Sequence, residues 1–514
     1  MRSQVHLIPL LASLLEASVA SAANSSWPWQ TYKSSTAQPP SLQINKTSEA
    51  SPGYLFFDQD GDGAHQYSVF IMSDENELIW QGYYGDLTAF RVQTFEGKPV
   101  LTFFNGVTLS EPWGWGHGII QILDDSYTSI YNLSITAAQE NLVTTSELDP
   151  DQLWSYIDLH EANITPEGTI LVTLYNTTRY DLSSVGGPED GWVTDSLFYE
   201  MDIKTNEILF RWSALAHKDQ IPIENVLEFY PVADYGQNQS IPYGYFHINS
   251  VDKFADGSYL VSSRYFSSIF KIATNGSVEW TLQGKDGGDF TLDPKLSFSY
   301  QHDARIRKEV GNKVQISLFD NSNSDVVSGI EQTSGIFLTI DTEAMTATLD
   351  KKYIDPQDPT YSVSQGNTQL LDNGHVVMGY GSVPTAREYT ADGATAMTAK
   401  FGPADGSVFS YRIYRLPWVG RPNTRPDAFA CADQASNSTL VYMSWNGATE
   451  HQLWKIFAAP SNQTELLALA AEVKKTGFET VAAIPGRAAY VRVEAEGIDI
   501  TPGVSEVISA QGRC

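Results

Sequence analysis

The chain has 514 residues, 42% of them hydrophobic and only 18% charged, with 26 Tyr, 23 Phe and 12 Trp. This balance excludes an intrinsically disordered protein. Its 32 basic and 61 acidic side chains give a net charge of −29, which repels phosphate backbones and anionic lipid surfaces and sets nucleic-acid binding aside.

Residues 1–22 place Arg2 ahead of an apolar run ending in Ala20-Ser21-Ala22, the pattern of a secretory signal peptide with a small-residue cleavage site. Residues 23–52 form a Ser/Pro-rich N-terminal segment without a core pattern, and no later stretch reaches the ~18 to 20 apolar residues of a membrane span. Glycosylation sequons stand at Asn24, Asn45, Asn132, Asn163, Asn176, Asn238, Asn275, Asn437 and Asn462, and they belong on a chain that meets the glycosylation machinery. The two cysteines, Cys431 and Cys514, find their simplest fate in an oxidising lumen as one disulfide pinning the C-terminus. The expectation is a secreted or endomembrane-luminal glycoprotein.

Residues 53–514 read as one all-β body of short strands separated by Gly, Asp and Asn turns. A unit of strands, often closing on Trp, recurs at Asn76–Trp80, Ser196–Trp212, Asp256–Trp280, Ser334–Leu349 and Thr439–Trp454. Units of roughly 40 to 60 residues with about four strands each suit a β-propeller, and six blades fit the length. Two stacked β-sandwiches are the alternative. Glu465–Thr476 (ELLALAAEVKKT) is read as a short C-terminal amphipathic helix that caps the ring.

Nested in these units is a hairpin with a polar leading end. His247 leads to a turn at Asp256-Gly257 and returns to Arg264; His302 leads to Gly311-Asn312 and returns to Asn321; Gln365 and Asn367 lead to Asn373-Gly374 and return to Gly381. A weaker copy runs from His160 through Glu167-Gly168 to Asn176. A tight turn brings the open ends of a strand pair together, so these ends are expected to converge on one cup. Imidazole, guanidinium and carboxamide groups gathered there can bind an anion, move a proton or polarise a carbonyl. Tyr245, Phe246, Tyr265, Phe266, Tyr300 and Phe319 would supply aromatic walls, with Asn249, Gln365 and Asn367 as further binding groups.

Asp58-Gln59-Asp60-Gly61-Asp62-Gly63 begins like a calcium loop, but Val69 stands where the loop requires Glu, so it reads first as a solvated turn, with a structural calcium site as the alternative, and no catalytic metal is expected. Trp113-Gly114-Trp115-Gly116-His117-Gly118 is read as either an aromatic lid over the cup, with Trp115 touching substrate, or a packed loop. The chain has no P-loop, dinucleotide fingerprint or Gly-x-Ser-x-Gly elbow, and no cofactor is expected.

The segments HINSVDKFADGSYLVSSRY (247–265), GSVEWTLQG (276–284), QHDARI (301–306), LFDN (318–321), SQGNTQLLDNGHVVMGYG (364–381) and VYMSWNGATE (441–450) together resemble the fungal arylsulfotransferase-like proteins, a secreted propeller family. In the bacterial relatives the resemblance implies sulfate transfer between phenols through a histidine, without a phosphosulfate coenzyme. It makes His247 the counterpart of an active-site histidine, and Arg264, His302 and Asn321 the sulfate-binding and proton-handling partners. The third hairpin departs from this pattern, because Ser364-Gln365-Gly366-Asn367 offers no transfer histidine and His375 lies past the turn at the opposite end. Members of the group are also similar to the hetero-Diels-Alderases of tropolone-sesquiterpenoid pathways, which need no nucleophile and join an ortho-quinone methide to a terpene alkene by proximity and hydrogen bonding. On that resemblance a cofactor-free cycloaddition in secondary metabolism is the first expectation, with tropolone-type and terpene substrates. Sulfotransfer to phenols is the second, and a non-enzymatic binding propeller the third.

Overall fold

The computed structural model describes residues 27–109, 114–144, 154–226, 234–326, 331–461, 464–497 and 501–514. The signal-peptide reading and Asn24, Trp113 and Asn462 lie outside these residues.

Described residues up to Leu416 form consecutive antiparallel meanders of four strands, in the order expected of a propeller. Their leading strands are Asp86–Phe95, Ile157–Ile164, Ile248–Lys253, His302–Val310 and Asn367–Leu370. A further sheet is built from both ends of this region: Ile413–Leu416 pairs with Tyr54–Gln59, which continues through Ser68–Met72 to Leu78–Tyr84. Phe57 lies opposite Ile413 and Tyr54 opposite Leu416, so the late strand fastens the early one. Each leading strand touches the next in chain order, and Ile413–Leu416 touches both the Asn367 sheet and Asp86–Phe95, returning the series to its start.

Packing explains the strand composition. Ser68–Met72 and Tyr259–Ser263 are buried along their whole length, because each sheet is covered on both faces by its neighbours and needs continuous apolar runs. The cores between sheets carry the recurrent aromatics; Trp80, Trp212 and Trp280 are all buried. The N-terminal segment adds Gln43–Lys46 to the outer edge of the Thr395–Lys400 strand. Trp29 stacks on His65 with ring centroids 3.8 Å apart.

Two expectations are corrected by the C-terminal region. Thr439–Trp454 does not form a unit of the repeat; its two strands, Ser438–Ser444 and His451–Ala459, belong to different sheets. Those sheets face each other across a core of their own that includes Val441, Met443, Trp454, Ile456, Ile484 and Val493. The expected helix over 465–476 is a short 3-10 turn at Thr464–Leu466 followed by the strand Ala468–Lys474, paired with His451–Ala459. In ALAAEVK only Ala471 and Val473 turn inward, a period of two. Backbone pairing with a neighbouring strand thus overrides the helical propensity of Ala, Leu and Glu.

Cys431 and Cys514 form a disulfide spanning 83 residues, as expected, and it fits an oxidising compartment. No helix among the described residues is long and apolar enough to cross a membrane. Asn45, Asn132, Asn238, Asn275 and Asn437 are exposed, and Asn176 accepts a hydrogen bond from the Val143 amide. Asn163 differs, since its Nδ2 donates to Val251 O and to Asp252 Oδ1, bonds that a glycan on that nitrogen would break.

Cross-linking a loop of this length removes about 4 to 5 kcal/mol of unfolded-chain entropy. Cys514→Ser is therefore expected to lower the denaturant midpoint of the C-terminal sheets, and equal midpoints for the two proteins would contradict that role.

Candidate active site

Three of the leading strands share one local device. In Ile157–Ile164, Ile157 faces Leu174 and Ala162 faces Val172, so Asp158–Glu161 bulge out of register. In Ile248–Lys253 the register skips at Asn249, and in His302–Val310 it skips between His302 and Arg305. Bulges re-aim side chains that regular pleating would send into the sheet core. Backbone strain accompanies them: His247, Asp303 and Gln365 have φ of 54°, 53° and 63°, a left-handed conformation that is costly for residues other than glycine and persists where the surroundings enforce it.

The re-aimed ends line one cavity of about 60 Å³, with His160, His247, His302, Arg264, Gln365 and Tyr411 around it and Asp60, Ser364, Thr88 and Phe409 completing the wall. The His302 tautomer is fixed by its partners. Its Nδ1 donates to Asn321 Oδ1 at 2.7 Å, and the Asn321 amide cannot turn because its Nδ2 donates to the carbonyls of Ser362 and Gln365. His302 Nε2 keeps its lone pair and accepts from the Gln365 amide at 3.2 Å. Burial first, then the Arg264 guanidinium, holds His302 well below the usual imidazole range, so it stays neutral.

His160 is held differently. Its Nδ1 lies 2.5 Å from Asp158 Oδ2, and Asp158 also accepts from the Gly116 amide and the Thr173 hydroxyl. Burial opposes ionisation of Asp158, but His160 and these donors outweigh it and keep the carboxyl below its ordinary range. His247 packs edge-on against Trp115 and His160, each at 4.6 Å, and faces Tyr265 at 4.7 Å. Its Nδ1 is buried without a hydrogen bond. Burial, reinforced by the neighbouring His160 and Arg264, pushes its pKa far down.

Beneath the cavity lies a buried ionic cluster. Glu161 sits 2.7 Å from Arg305, 3.1 Å from Arg412 and 3.8 Å from Arg91, and Asp303 sits 2.8 Å from Arg305 and 3.7 Å from Arg412. Burial opposes ionisation of Glu161, yet the surrounding guanidiniums hold it down at about 2. With Asp158 under His160, three carboxylates meet three guanidiniums here, and Arg264 on the wall is the cation that faces the cavity.

The structure thus brings His247, Arg264, His302, Asn321 and Gln365 together, with Trp115 and Tyr265 against His247. It sends others elsewhere. Tyr245 and Phe246 are buried in the core between two sheets. Asn249 Nδ2 bonds the Gln301 carbonyl, and Asn367 exchanges two hydrogen bonds with the Ile413 backbone, joining the last sheets. His375 pairs with Glu388 in a separate network. Trp115 is 4% exposed, a packed wall and no lid. Asp58 is buried in its strand, and no group of three or more His, Cys, Asp or Glu among the described residues could hold a metal ion.

The sequence reading missed Asp158, Glu161, Arg305, Arg412 and Tyr411 and treated His160 as a weak copy. Asp158 and His160 stand two apart in a strand, a spacing that puts both on one face, so that pair could have been found. Nothing local distinguishes Tyr411 or Arg412.

An all-β ring of meanders with an anion-suited, imidazole-lined well at the ends of its leading strands defines the class. The chain belongs to the arylsulfotransferase (ASST) family, whose model matches residues 91–402. No curated protein matches it. Among solved structures it is similar to a protein of unknown function from Bacteroides caccae, at 13% identity and TM-score 0.40, covering 71% of this chain and 98% of that one. It is also similar to an α-L-arabinanase from Penicillium chrysogenum, at 10% identity and TM-score 0.32, covering 82% and 93%. These two likenesses carry no argument about chemistry.

Asp58 offers a test of the ground behind the well. Its Oδ2 accepts from the Tyr411 amide while Oδ1 has no partner, and burial raises its pKa to about 8. Between about pH 4 and that value the unfolded chain releases this proton and the folded chain keeps it, so stability falls by up to about 1.4 kcal/mol per pH unit. Asp58→Asn cannot ionise and is expected to gain stability relative to the parent across this window, read from urea midpoints; parallel pH profiles would contradict this.

Proposed function

We propose that the protein transfers a sulfo group between phenolic oxygens through His302. The observation that supports this reading is a neutral imidazole locked with Nδ1–H on Asn321 and with its Nε2 lone pair at the cavity, held there only by the 3.2 Å bond from the Gln365 amide, beside Arg264. In the first half-reaction, Nε2 gives up its hydrogen bond from the Gln365 amide and attacks the sulfur of an aryl sulfate, forming an N–S bond as the S–O bond breaks. The departing phenolic oxygen takes the electron pair and a proton from His160, whose ring Asp158 orients. In the second, an acceptor phenol returns a proton to His160 and its oxygen attacks sulfur, breaking the N–S bond and restoring His302. Arg264 offsets the charge on the sulfo oxygens. The net exchange is aryl sulfate plus phenol to phenol plus aryl sulfate, with no coenzyme consumed.

The same family resemblance raised a hetero-Diels-Alder cycloaddition. That reaction requires a well holding two ring systems at once, whereas about 60 Å³ lies far below the ~300 Å³ at which small-molecule pockets begin. A sulfo group matches the smaller volume, with its aryl part outside.

Mixing the protein with 4-nitrophenyl sulfate is expected to give a species heavier by one sulfo group, mapped to His302, and adding a phenol should discharge it. His302→Ala should lose both, with transfer falling at least about a thousandfold. No label and no transfer with several aryl sulfates would refute this reading. A single stereoisomer formed from a quinone methide and an alkene would restore the cycloaddition.

A further inference from the structure

We propose that the hydroxyls of Tyr411 and Ser364 donate to the peripheral oxygens of the sulfo group beside Arg264, which makes both residues catalytic; this rests on the sulfo-transfer reading of the same well. Both side chains are buried and line that well, yet neither hydroxyl has a hydrogen-bond partner among the described residues. Thr88, on the same wall, shows the ordinary case, with its hydroxyl donated to the Leu159 carbonyl at 3.1 Å. A buried hydroxyl without a partner costs free energy, and native interiors keep few of them. Two of them on one well of about 60 Å³ mark a ligand that accepts from both.

The backbone explains why these groups meet. Four consecutive residues at the leading end of the third hairpin serve the site in turn. The Val363 carbonyl accepts from the Arg264 guanidinium at 2.8 Å, and Ser364 contributes its hydroxyl. The Gln365 amide bonds His302 Nε2 at 3.2 Å, and the Gly366 amide bonds the Tyr411 carbonyl at 3.0 Å. Tyr411 is fixed from its other side by its own amide on Asp58 at 2.9 Å, and its ring stands edge-on to His160 at 5.8 Å. The hairpin without a transfer histidine is thus a cradle that holds cation, nucleophile and hydroxyls in one arrangement.

The chemistry of the donors fits a sulfo group. Burial, which outweighs the Arg412 cation beside the ring, raises the Tyr411 pKa, so its hydroxyl stays protonated and donates. A sulfo ester carries a single negative charge spread over three peripheral oxygens. Arg264 matches that charge, and two neutral hydroxyls supply further donors without adding to it. Donors fixed before the reaction stabilise charge on those oxygens throughout the transfer.

The test compares the full-length parent with Tyr411→Phe and Ser364→Ala. Inorganic sulfate, titrated by calorimetry, is expected to bind about tenfold more weakly to each variant. The kcat for transfer from 4-nitrophenyl sulfate is expected to fall about a hundredfold in Tyr411→Phe. Without sulfate, the urea midpoint of Tyr411→Phe is expected at or above the parental one, because the substitution removes a buried polar group that has no partner. A structural hydroxyl gives the opposite sign, so a lowered midpoint with parental sulfate affinity overturns the proposal. Parental affinity and kcat in the folded variants, or no saturable sulfate binding by the parent, also overturn it. Sulfate binding separates the proposal from the reading beneath it. Weakened binding in both variants of a parent that transfers nothing would uphold the donors and refute the transfer. A sulfo label on His302 that forms and discharges equally fast in all three proteins would uphold the transfer and overturn the donors.

Discussion

The structure depends on Glu161 and the guanidiniums around it. Glu161 comes from the Ile157 strand, Arg91 from the Asp86 strand, Arg305 and Asp303 from the His302 strand, and Arg412 immediately precedes the fastening strand. Backbone bonds extend the cluster: Val251 N donates to Glu161, Arg412 donates to the Asn249 carbonyl, and Thr368 N donates to Asp303. Every leading strand is therefore tied to one charge centre. Such a cluster is costly to assemble and more costly to break, since removing one partner leaves a buried charge unpaired. Its value here is positional. It holds three bulged strands in the register that turns His160, His247 and His302 toward each other.

The same cluster sets the electrostatics of the well. A protein with strong negative charge must offset its own field locally to attract an anion, and Arg264 at the wall supplies the cation that faces the cavity. The three imidazoles then divide by their partners. His302 has a carboxamide and stays neutral, His160 is held by a carboxylate, and His247 is pressed among rings with a nitrogen left unpaired. One residue type yields different chemistry because the second partner differs.

Much of the fold was legible in the sequence because it rests on local signals. The Asp256-Gly257, Gly311-Asn312 and Asn373-Gly374 turns mark hairpins, and the tips they imply do hold Arg264 beside His247 and Asn321 beside His302. The bulges were not legible, since a register skip at Asn249 or Asp303 depends on which strand lies alongside, and this misdirected Asn249 toward the cavity; Asn367, in a strand without a skip, is taken up by the Ile413 backbone of the next sheet. Tyr245 and Phe246 misled because an aromatic beside a polar tip reads alike whether it walls a site or fills a core. The C-terminal region misled for a related reason: ELLALAAEVKKT carries helical propensity, and only the partner strand His451–Ala459 makes it extended. The ionic cluster was invisible because its members are up to 321 residues apart between Arg91 and Arg412.

The central claim is that the buried charge centre positions the imidazoles for transfer. The direct measurement is the sulfo-transfer rate of Glu161→Gln under conditions where near-ultraviolet circular dichroism shows it folded. The account predicts a fall of at least about a hundredfold in kcat, the scale of a misplaced acid–base group, with KM for the aryl sulfate changing little. A folded Glu161→Gln protein that transfers at the parental rate would contradict it.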